Sequence, residues 1–219
     1  MTMKSTEAVK ILVQSDFDGT ITQEDVSFLL LDAFADGDWR QLLAAYREDK
    51  ISVNHFNTHA FAMLKADKQT LLEFMRGKIE IRPGFQELLA YCQERGFYYV
   101  IVSNGLDFYI EALLGDIGVN NIEVFAAQTR FSPQGLKVQY VGPDGSKLDR
   151  GFKEAYVNLF LGKGYRVVYV GNGASDIPSA KLAHHIFATG ELLAYCQETD
   201  LNCTPFVDLN DIVSGLKFL

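Results

Sequence analysis

The chain has 219 residues, 48% hydrophobic and 22% charged, the composition of a globular protein long enough for one sizeable core. A formal charge of −8 and a pI near 5.0 argue against general nucleic-acid binding, although a local site for an anionic substrate remains compatible with them. No run approaches the roughly 20 apolar residues of a membrane span. Cys92, Cys196 and Cys203 are odd in number and form no CxxC pair, a pattern that suits free thiols in a reducing compartment. With a polar N-terminus and no secretory pattern, a cytoplasmic protein is the expectation.

The first predicted element is a buried strand over residues 10–15, carrying Ile11, Leu12 and Val13. It ends in two acids, Asp16 and Asp18, followed by Gly19 and Thr20. In an extended segment residues i and i+2 project to one side, so both carboxylates can face one point beyond the strand. Such a pair can hold a hard cation, and one acid can attack while the other handles protons. The conformational alternative is a plain Asp-Gly turn.

Helical patterning follows from Glu24 to about Thr70, with Phe28, Leu29, Leu31, Ala33 and Phe34, then Leu42, Leu43 and Tyr46 at helical spacing. Asp36-Gly37-Asp38 and Ser52-Val53-Asn54 supply breaks and N-caps, so the segment reads as a bundle of short helices. Arg82-Pro83-Gly84 opens a helix through Arg95 that Gly96 ends. A strand over Tyr98–Val102 and a helix from about Asp107 to Leu114 come next.

Glu123–Arg130 and Leu136–Val141 read as strands joined by Ser132-Pro133-Gln134-Gly135, with a second turn at Gly142-Pro143-Asp144-Gly145. A helix over Phe152–Leu161 leads to a strand over Arg166–Val170, then Gly171-Asn172-Gly173. A helix near Ile177–Ala183, a short strand over Ile186–Ala188 and a terminal helical region complete the chain. Strands alternating with helices predict an α/β fold with a mainly parallel sheet.

In such sheets ligands sit beyond the carboxyl ends of the strands. The first strand ends in Asp16 and Asp18, the second in Ser103-Asn104-Gly105, and the third in Gly171 through Asp176. Lys153 starts a helix between the second and third. Together they offer a cation site, a phosphate cradle, a nucleophile and a balancing positive charge, the parts of phosphoryl transfer.

These motifs, Asp16-Phe17-Asp18-Gly19-Thr20, Ser103, Lys153 and Gly171 to Asp176, resemble the four motifs of the haloacid dehalogenase-like hydrolases. The resemblance implies a Rossmann-like core over residues 1–23 and 82–219 and a helical cap over residues 24–81. The segments IRPGFQELLAYC, VSNGLDFYI and FATGELLAYCQETDLNCTPFVDLNDI resemble the branch acting on a methionine-salvage phosphate ester, which is itself similar to phosphoserine phosphatases. What the resemblance implies is a Mg²⁺-dependent phosphatase acting on a small phosphorylated metabolite. Asp16 would be the phosphorylated nucleophile, Asp18 the acid and base, and Lys153 the charge balance. Ser103, with Asn104 and Gly105, would bind the phosphate, and Asp25 would face substrate. Asp16, the Asp18 carbonyl, Asn172 and Asp176 would hold the metal. The family pattern has an acid where Asn172 stands, so one negative charge is missing and weaker metal binding is expected.

Bland alternatives exist for several of these residues. Ser103 can be an N-cap, Asp176 a first-turn acid, and Lys147 or Arg150 compete with Lys153. His184-His185, the His55/His59 pair and Cys196/Cys203 read as structural rather than as metal sites. Competing functions are a phosphoserine phosphatase, a phosphotransferase on the same core, and a noncatalytic phosphate-binding homologue.

Overall fold

The computed structural model describes residues 9–132 and 134–219. The N-terminal polar segment, on which the reading of no secretory signal rests, and Pro133 of the expected turn lie outside the described residues. Among the described residues seven strands form one sheet in the order β4-β3-β2-β1-β5-β6-β7. They are β1 (Lys10–Ser15), β2 (Tyr98–Leu106), β3 (Glu123–Ser132), β4 (Gly135–Gln139), β5 (Tyr165–Gly171), β6 (His185–Ala188) and β7 (Thr204–Pro205). All neighbours are parallel except the antiparallel hairpin β3–β4.

β1 is central, with Leu12 paired to Tyr98 on one side and Val167 on the other. Every β1 residue after Lys10 is buried, which is why its apolar residues run on without alternating. The chain leaves β1 toward β2 and later returns to its opposite edge as β5. The crevice at that switch point lies beyond the carboxyl ends of β1, β2 and β5.

Ten helices accompany the sheet among the described residues. Four of them, α1 (Val26–Phe34), α2 (Trp39–Arg47), α3 (Val53–Phe61) and α4 (Lys68–Met75), form the expected bundle after β1. Each begins at a side-chain N-cap, Asp25, Asp38, Ser52 or Asp67, worth about 1 kcal/mol apiece. Helices this short are marginal alone, so packing must hold them. Phe28, Trp39, Tyr46 and Phe56 form that packing, with ring centroids 5.1 to 6.5 Å apart. The bundle also touches the core far from its attachment, where Ser52 Oγ donates to the Asp149 carbonyl (2.9 Å) and Asn54 Nδ2 to that of Leu148 (2.9 Å).

The chain re-enters the core through a neck in which Thr22 bridges Ile81 and the Arg82 N–H donates to the Ile21 carbonyl (2.7 Å). The Arg82 guanidinium donates to the carbonyls of Thr20 (2.9 Å), Gly19 (2.9 Å) and Val207 (2.8 Å). One side chain thus fixes the turn after Asp18, the neck and the C-terminal region. Arg82→Ala is expected to lower stability by about 2–3 kcal/mol, because charged donors to carbonyls are stripped away together. Urea unfolding measures this, and a change below about 0.5 kcal/mol would show that water replaces the guanidinium freely.

The remaining helices are α5 (Phe85–Arg95), α6 (Asp107–Asp116), α7 (Phe152–Gly162), α8 (Ile177–Ala180), α9 (Gly190–Glu198) and α10 (Leu209–Leu216). Gly84, before α5, has φ 88°, and a Cβ there would lie 2.5 Å from the Asn210 nitrogen, so glycine is required on both counts. No helix among the described residues is long and apolar enough to cross a membrane.

Three expectations differ in detail. β2 continues past Val102 through Ser103-Asn104-Gly105 to Leu106, with a register shift against β3. Burial at the sheet centre overrides the weak strand propensity of those residues. α8 is shorter than expected, ending at Ala180. β7 escaped notice because only Thr204 and Pro205 pair, too few residues for any periodicity.

Candidate active site

Asp16 follows directly on β1, and its N–H donates to the Val170 carbonyl of β5 (2.9 Å), carrying the strand ladder one step further. The carboxylate is 5% exposed. Lys153, the second residue of α7 and 1% exposed, reaches it from below, with Nζ 2.9 Å from Asp16 Oδ1 and 2.6 Å from Asp176 Oδ1. The Lys153 carbonyl accepts a bond from Gln14 Nε2 of β1 (3.1 Å), which ties the start of α7 to the strand. Burial works against the lysine's charge, but the Asp16 and Asp176 carboxylates outweigh it and hold its pKa above the ordinary value.

Asp176 is fully buried and fully engaged. Its Oδ1 accepts from Lys153 and from the Tyr169 hydroxyl (2.6 Å), and its Oδ2 accepts from the N–H groups of Asn172 (3.0 Å) and Gly173 (2.9 Å). It shapes the 171–173 turn and positions Lys153, and it does not line the cavity described below. Its two oxygens thus carry four donors between them.

Asp18 stands on the other side of Asp16. The Val26 N–H donates to its Oδ1 (3.2 Å) and the Tyr109 hydroxyl to its Oδ2 (2.5 Å), while Ser27 Oγ lies 2.8 Å from the Tyr109 hydroxyl. Gly105 makes room for this pair, since a Cβ there would collide with both Asp18 Oδ2 and the Tyr109 hydroxyl. Burial, with Asp25 and Asp16 adding repulsion, raises the Asp18 pKa well above the ordinary carboxylate value despite the tyrosine bond. Asp16 is pushed up to about 6 by burial and by Asp176, against the pull of Lys153. Asp25 caps α1 through the Phe28 N–H (2.9 Å), and burial pushes it up to about 6 as well.

In metal-free buffer the folded protein therefore keeps protons that the unfolded chain releases. For an acid whose value rises on folding, the protonated native state is favoured below the folded value, and stability falls as pH climbs from about 4 through about 6. The rise at Asp16 from 3.8 to about 6 corresponds to about 3 kcal/mol. His185, lowered by burial, works the other way below its ordinary 6.5. With chelator present, Tm is expected to drop between about pH 5 and pH 7.5, and Asp16→Asn to flatten the slope. A Tm that rises across that window would contradict the burial argument.

The cavity among these groups measures about 340 Å³ and is roofed by α1, α2 and α3. Asp16, Asp18, Asp25 and Lys153 line it, as do Ser103, Asn104 and Gly105 of β2 and Asn172. The Ser103 hydroxyl oxygen accepts from the Gly105 N–H (3.0 Å), which leaves its proton free to donate into the cavity. Asn104 Oδ1 is buried and has no partner among the described residues, and the Asn104 carbonyl accepts from Asn57 Nδ2 (3.1 Å) and the Tyr140 hydroxyl (2.7 Å). Asn172 Oδ1 accepts from Thr20 Oγ1 (2.9 Å), with its Nδ2 packed against Gly19. The roof contributes an apolar wall of Phe28, Leu43, Tyr46, Val53 and Phe56. Arg47 at the mouth pairs with Glu191 of α9 (3.3 Å).

Sequence reasoning missed Tyr109, Ser27, Asn57, Tyr169 and Arg47. Tyr109 lies in the quoted segment VSNGLDFYI, but nothing there marks it as a partner of Asp18, and the other four stand in no motif. They reach the site from helices and a mid-strand position, so only three-dimensional proximity reveals them. Lys147 and Arg150 lie in a separate groove beside α3. His55 and His59 stack with centroids 4.0 Å apart, and no group of three or more metal-ligating side chains surrounds them among the described residues. His184 and His185 bond to Val167 and Thr204, respectively.

Comparison with known proteins bears on this geometry. A family profile described as haloacid dehalogenase-like hydrolase matches residues 13–181. The chain is 29% identical over 215 residues to a 2-hydroxy-3-keto-5-methylthiopentenyl-1-phosphate phosphatase of Geobacillus thermodenitrificans, covering 96% of this chain and 97% of that one. It is 26% identical over 212 residues to the protein of the same name in Brevibacillus brevis, covering 95% and 96%. Among solved structures, a phospho-aspartyl intermediate analogue of phosphoserine phosphatase superposes with a TM-score of 0.71 at 18% identity, covering 94% of this chain and 99% of that one. A substrate-bound phosphoserine phosphatase gives 0.68 at 19% identity, covering 95% and 99%. At those identities the structures speak to the fold.

Proposed function

The chain belongs to the haloacid dehalogenase-like hydrolases and is a phosphomonoester hydrolase, and from that premise we propose a Mg²⁺-dependent phosphatase for a small metabolite, working through an aspartyl-phosphate. The observation that carries this reading is the buried Asp16–Lys153 pair, 2.9 Å apart, beside a second acid, Asp18, in one cavity.

The Asp16 carboxylate attacks phosphorus as the ester P–O bond breaks, and Asp18 gives its proton to the departing alcohol. Asp18, now a carboxylate, takes a proton from the water that attacks the phospho-Asp16, which releases phosphate and restores both acids. The raised pKa of Asp18, caused first by its burial, suits it to carry that proton. Tyr109 orients Asp18, Ser103 donates to a phosphoryl oxygen, and Lys153 offsets the charge of Asp16 and the phosphate. The donor set fits a hard cation, since the Asp16 carboxylate, the Asp18 carbonyl and the Asn172 amide all supply oxygen. Bound Mg²⁺ would draw charge from the phosphoryl oxygens and so stabilise the transfer.

Residues 24–81 act as the cap in this reading, and its roof supports a substrate. Phe28, Leu43, Tyr46, Val53 and Phe56 present an apolar wall, suited to a methylthio tail such as that named for the relatives. Asp25 favours a second reading, phosphoserine, because a half-buried acid in the cavity can receive an ammonium group. A phosphate-release panel separates the two. With Mg²⁺, 2-hydroxy-3-keto-5-methylthiopentenyl-1-phosphate is expected to give a kcat/KM at least about tenfold above that of phosphoserine, the worth of roughly two buried methylenes. Preference for phosphoserine would move the assignment to the second reading, and no Mg²⁺-dependent release from any phosphomonoester would refute the mechanism.

A further inference from the structure

α3 lines a cavity on each of two faces. Val53, Phe56 and Asn57 border the one that holds Asp16, whereas Asn54, His55, Thr58 and His59 border a second of about 670 Å³. That volume falls within the roughly 300–1,000 Å³ of small-molecule sites. The opposite wall of the second cavity is the segment from β4 to residue 150. It is pinned there, since Val141 bridges Lys147 and the Leu148 N–H donates to the Tyr140 carbonyl (3.0 Å).

Charge in this second cavity runs against that of the chain, whose formal value is −8. Lys50, Lys147 and Arg150 line it against a single carboxylate among the described residues, Asp149. Lys50 pairs with Glu48 (2.5 Å), but Lys147 and Arg150 have no ion-pair partner among the described residues. His59 Nδ1 donates to the His55 carbonyl (2.9 Å), and its Nε2 has no protein partner among the described residues. Asn54 is 3% exposed; its Nδ2 donates to the Leu148 carbonyl (2.9 Å), and its Oδ1 has no partner among the described residues. Buried acceptors are seldom left open, so one beside unpaired cations marks a place for a ligand that carries hydroxyl groups as well as negative charge.

We infer that this cavity is a second binding site, separate from that of hydrolysis, for a small hydroxylated polyanion such as a sugar phosphate or a hydroxy-polycarboxylate. Lys147 and Arg150 take the anionic groups, and Asn54 Oδ1 accepts from a hydroxyl. Lys50, Asn54 and His59 belong to the segment 24–81, and Lys147 and Arg150 to the core. The bound anion therefore bridges the two, beside the bonds that Ser52 and Asn54 already make to the carbonyls of Asp149 and Leu148.

Calorimetry on the whole chain in metal-free buffer tests this with fructose 1,6-bisphosphate and with citrate, each repeated on the double variant Lys147→Ala/Arg150→Ala and on Ser103→Ala. The parent is expected to bind at least one probe, and the tighter of the two names the source of the anion. The double variant is expected to bind it about tenfold or more weakly, the worth of one charge-assisted hydrogen bond, and Ser103→Ala to bind it as the parent does. Both substituted side chains of the double variant are exposed, so its fold and its Mg²⁺-dependent hydrolysis of an aryl phosphate are expected to stay within about twofold of the parent. Equal affinity in the double variant and the parent would overturn the inference, as would no binding of either probe at millimolar concentration. A loss confined to Ser103→Ala would place the anion in the first cavity and overturn it too. Neither Asp16 nor turnover enters the argument, so failure here leaves the phosphatase reading intact, and a parent that binds the anion without hydrolysing esters leaves this site standing.

Discussion

Lys153→Met is expected to cost about 3–5 kcal/mol of stability and essentially all turnover. The methionine fills much of the same volume, so packing is not the issue. Removing Nζ strands two buried carboxylates, Asp16 and Asp176; burial, and after it their mutual repulsion, already raises the Asp16 pKa. Their escape is to take up a proton, which caps the penalty and disarms the attacking group. Urea unfolding near pH 7.5 measures the loss. Lys153→Met combined with Asp176→Asn is expected to recover part of it, because residues in one network couple. A Lys153→Met protein within about 1 kcal/mol of the parent would mean that water, not the ammonium, compensates these acids.

Asp16→Asn has the opposite signature. Its kcat/KM is expected to fall about ten-thousand-fold or more, since the proposed mechanism gives the attack on phosphorus to Asp16. Its stability at neutral pH should stay within about 1 kcal/mol of the parent or rise. A buried carboxylate held at about 6 is a liability above that pH, and Lys153 keeps its 2.6 Å partner in Asp176. Phosphate release and thermal unfolding on the same preparation check both halves. Turnover within tenfold of the parent would exclude Asp16 as nucleophile, whereas a large loss of stability would show that the Asp16–Lys153 contact holds the fold. Lys153 and Asp16 thus share one ion pair, yet one is expected to matter to folding and chemistry and the other to chemistry alone.

Much of the fold was legible because its elements carry their own signals. β1 stands out as an unbroken apolar run, since the centre of a parallel sheet buries both faces. The short helices of the roof announce themselves through Asp38, Ser52 and their apolar spacing, and α5 through the glycines at its two ends. The C-terminal edge was not legible. Thr204 and Pro205 are a strand only because β6 lies beside them.

The site divides along the same line. Asp16 and Asp18 follow the end of β1, Ser103, Asn104 and Gly105 lie in the last residues of β2, and Lys153 stands at a helix start; the sheet brings those points to one crevice, so position along the chain was enough to nominate them. Their partners were decided only by the tertiary structure. Tyr109 meets Asp18 across 91 residues, and Asn57 meets Asn104 across 47. Asp176 shows the difference most clearly. Its spacing from Gly171 marks an acid at the site, but whether its oxygens face a cation or the protein depends on Lys153, Tyr169 and two backbone N–H groups converging on it. Local sequence sets which groups a strand or helix presents, because backbone geometry is local. What those groups do is set by the desolvated neighbours that folding brings within hydrogen-bonding reach, and that is a property of the packed molecule.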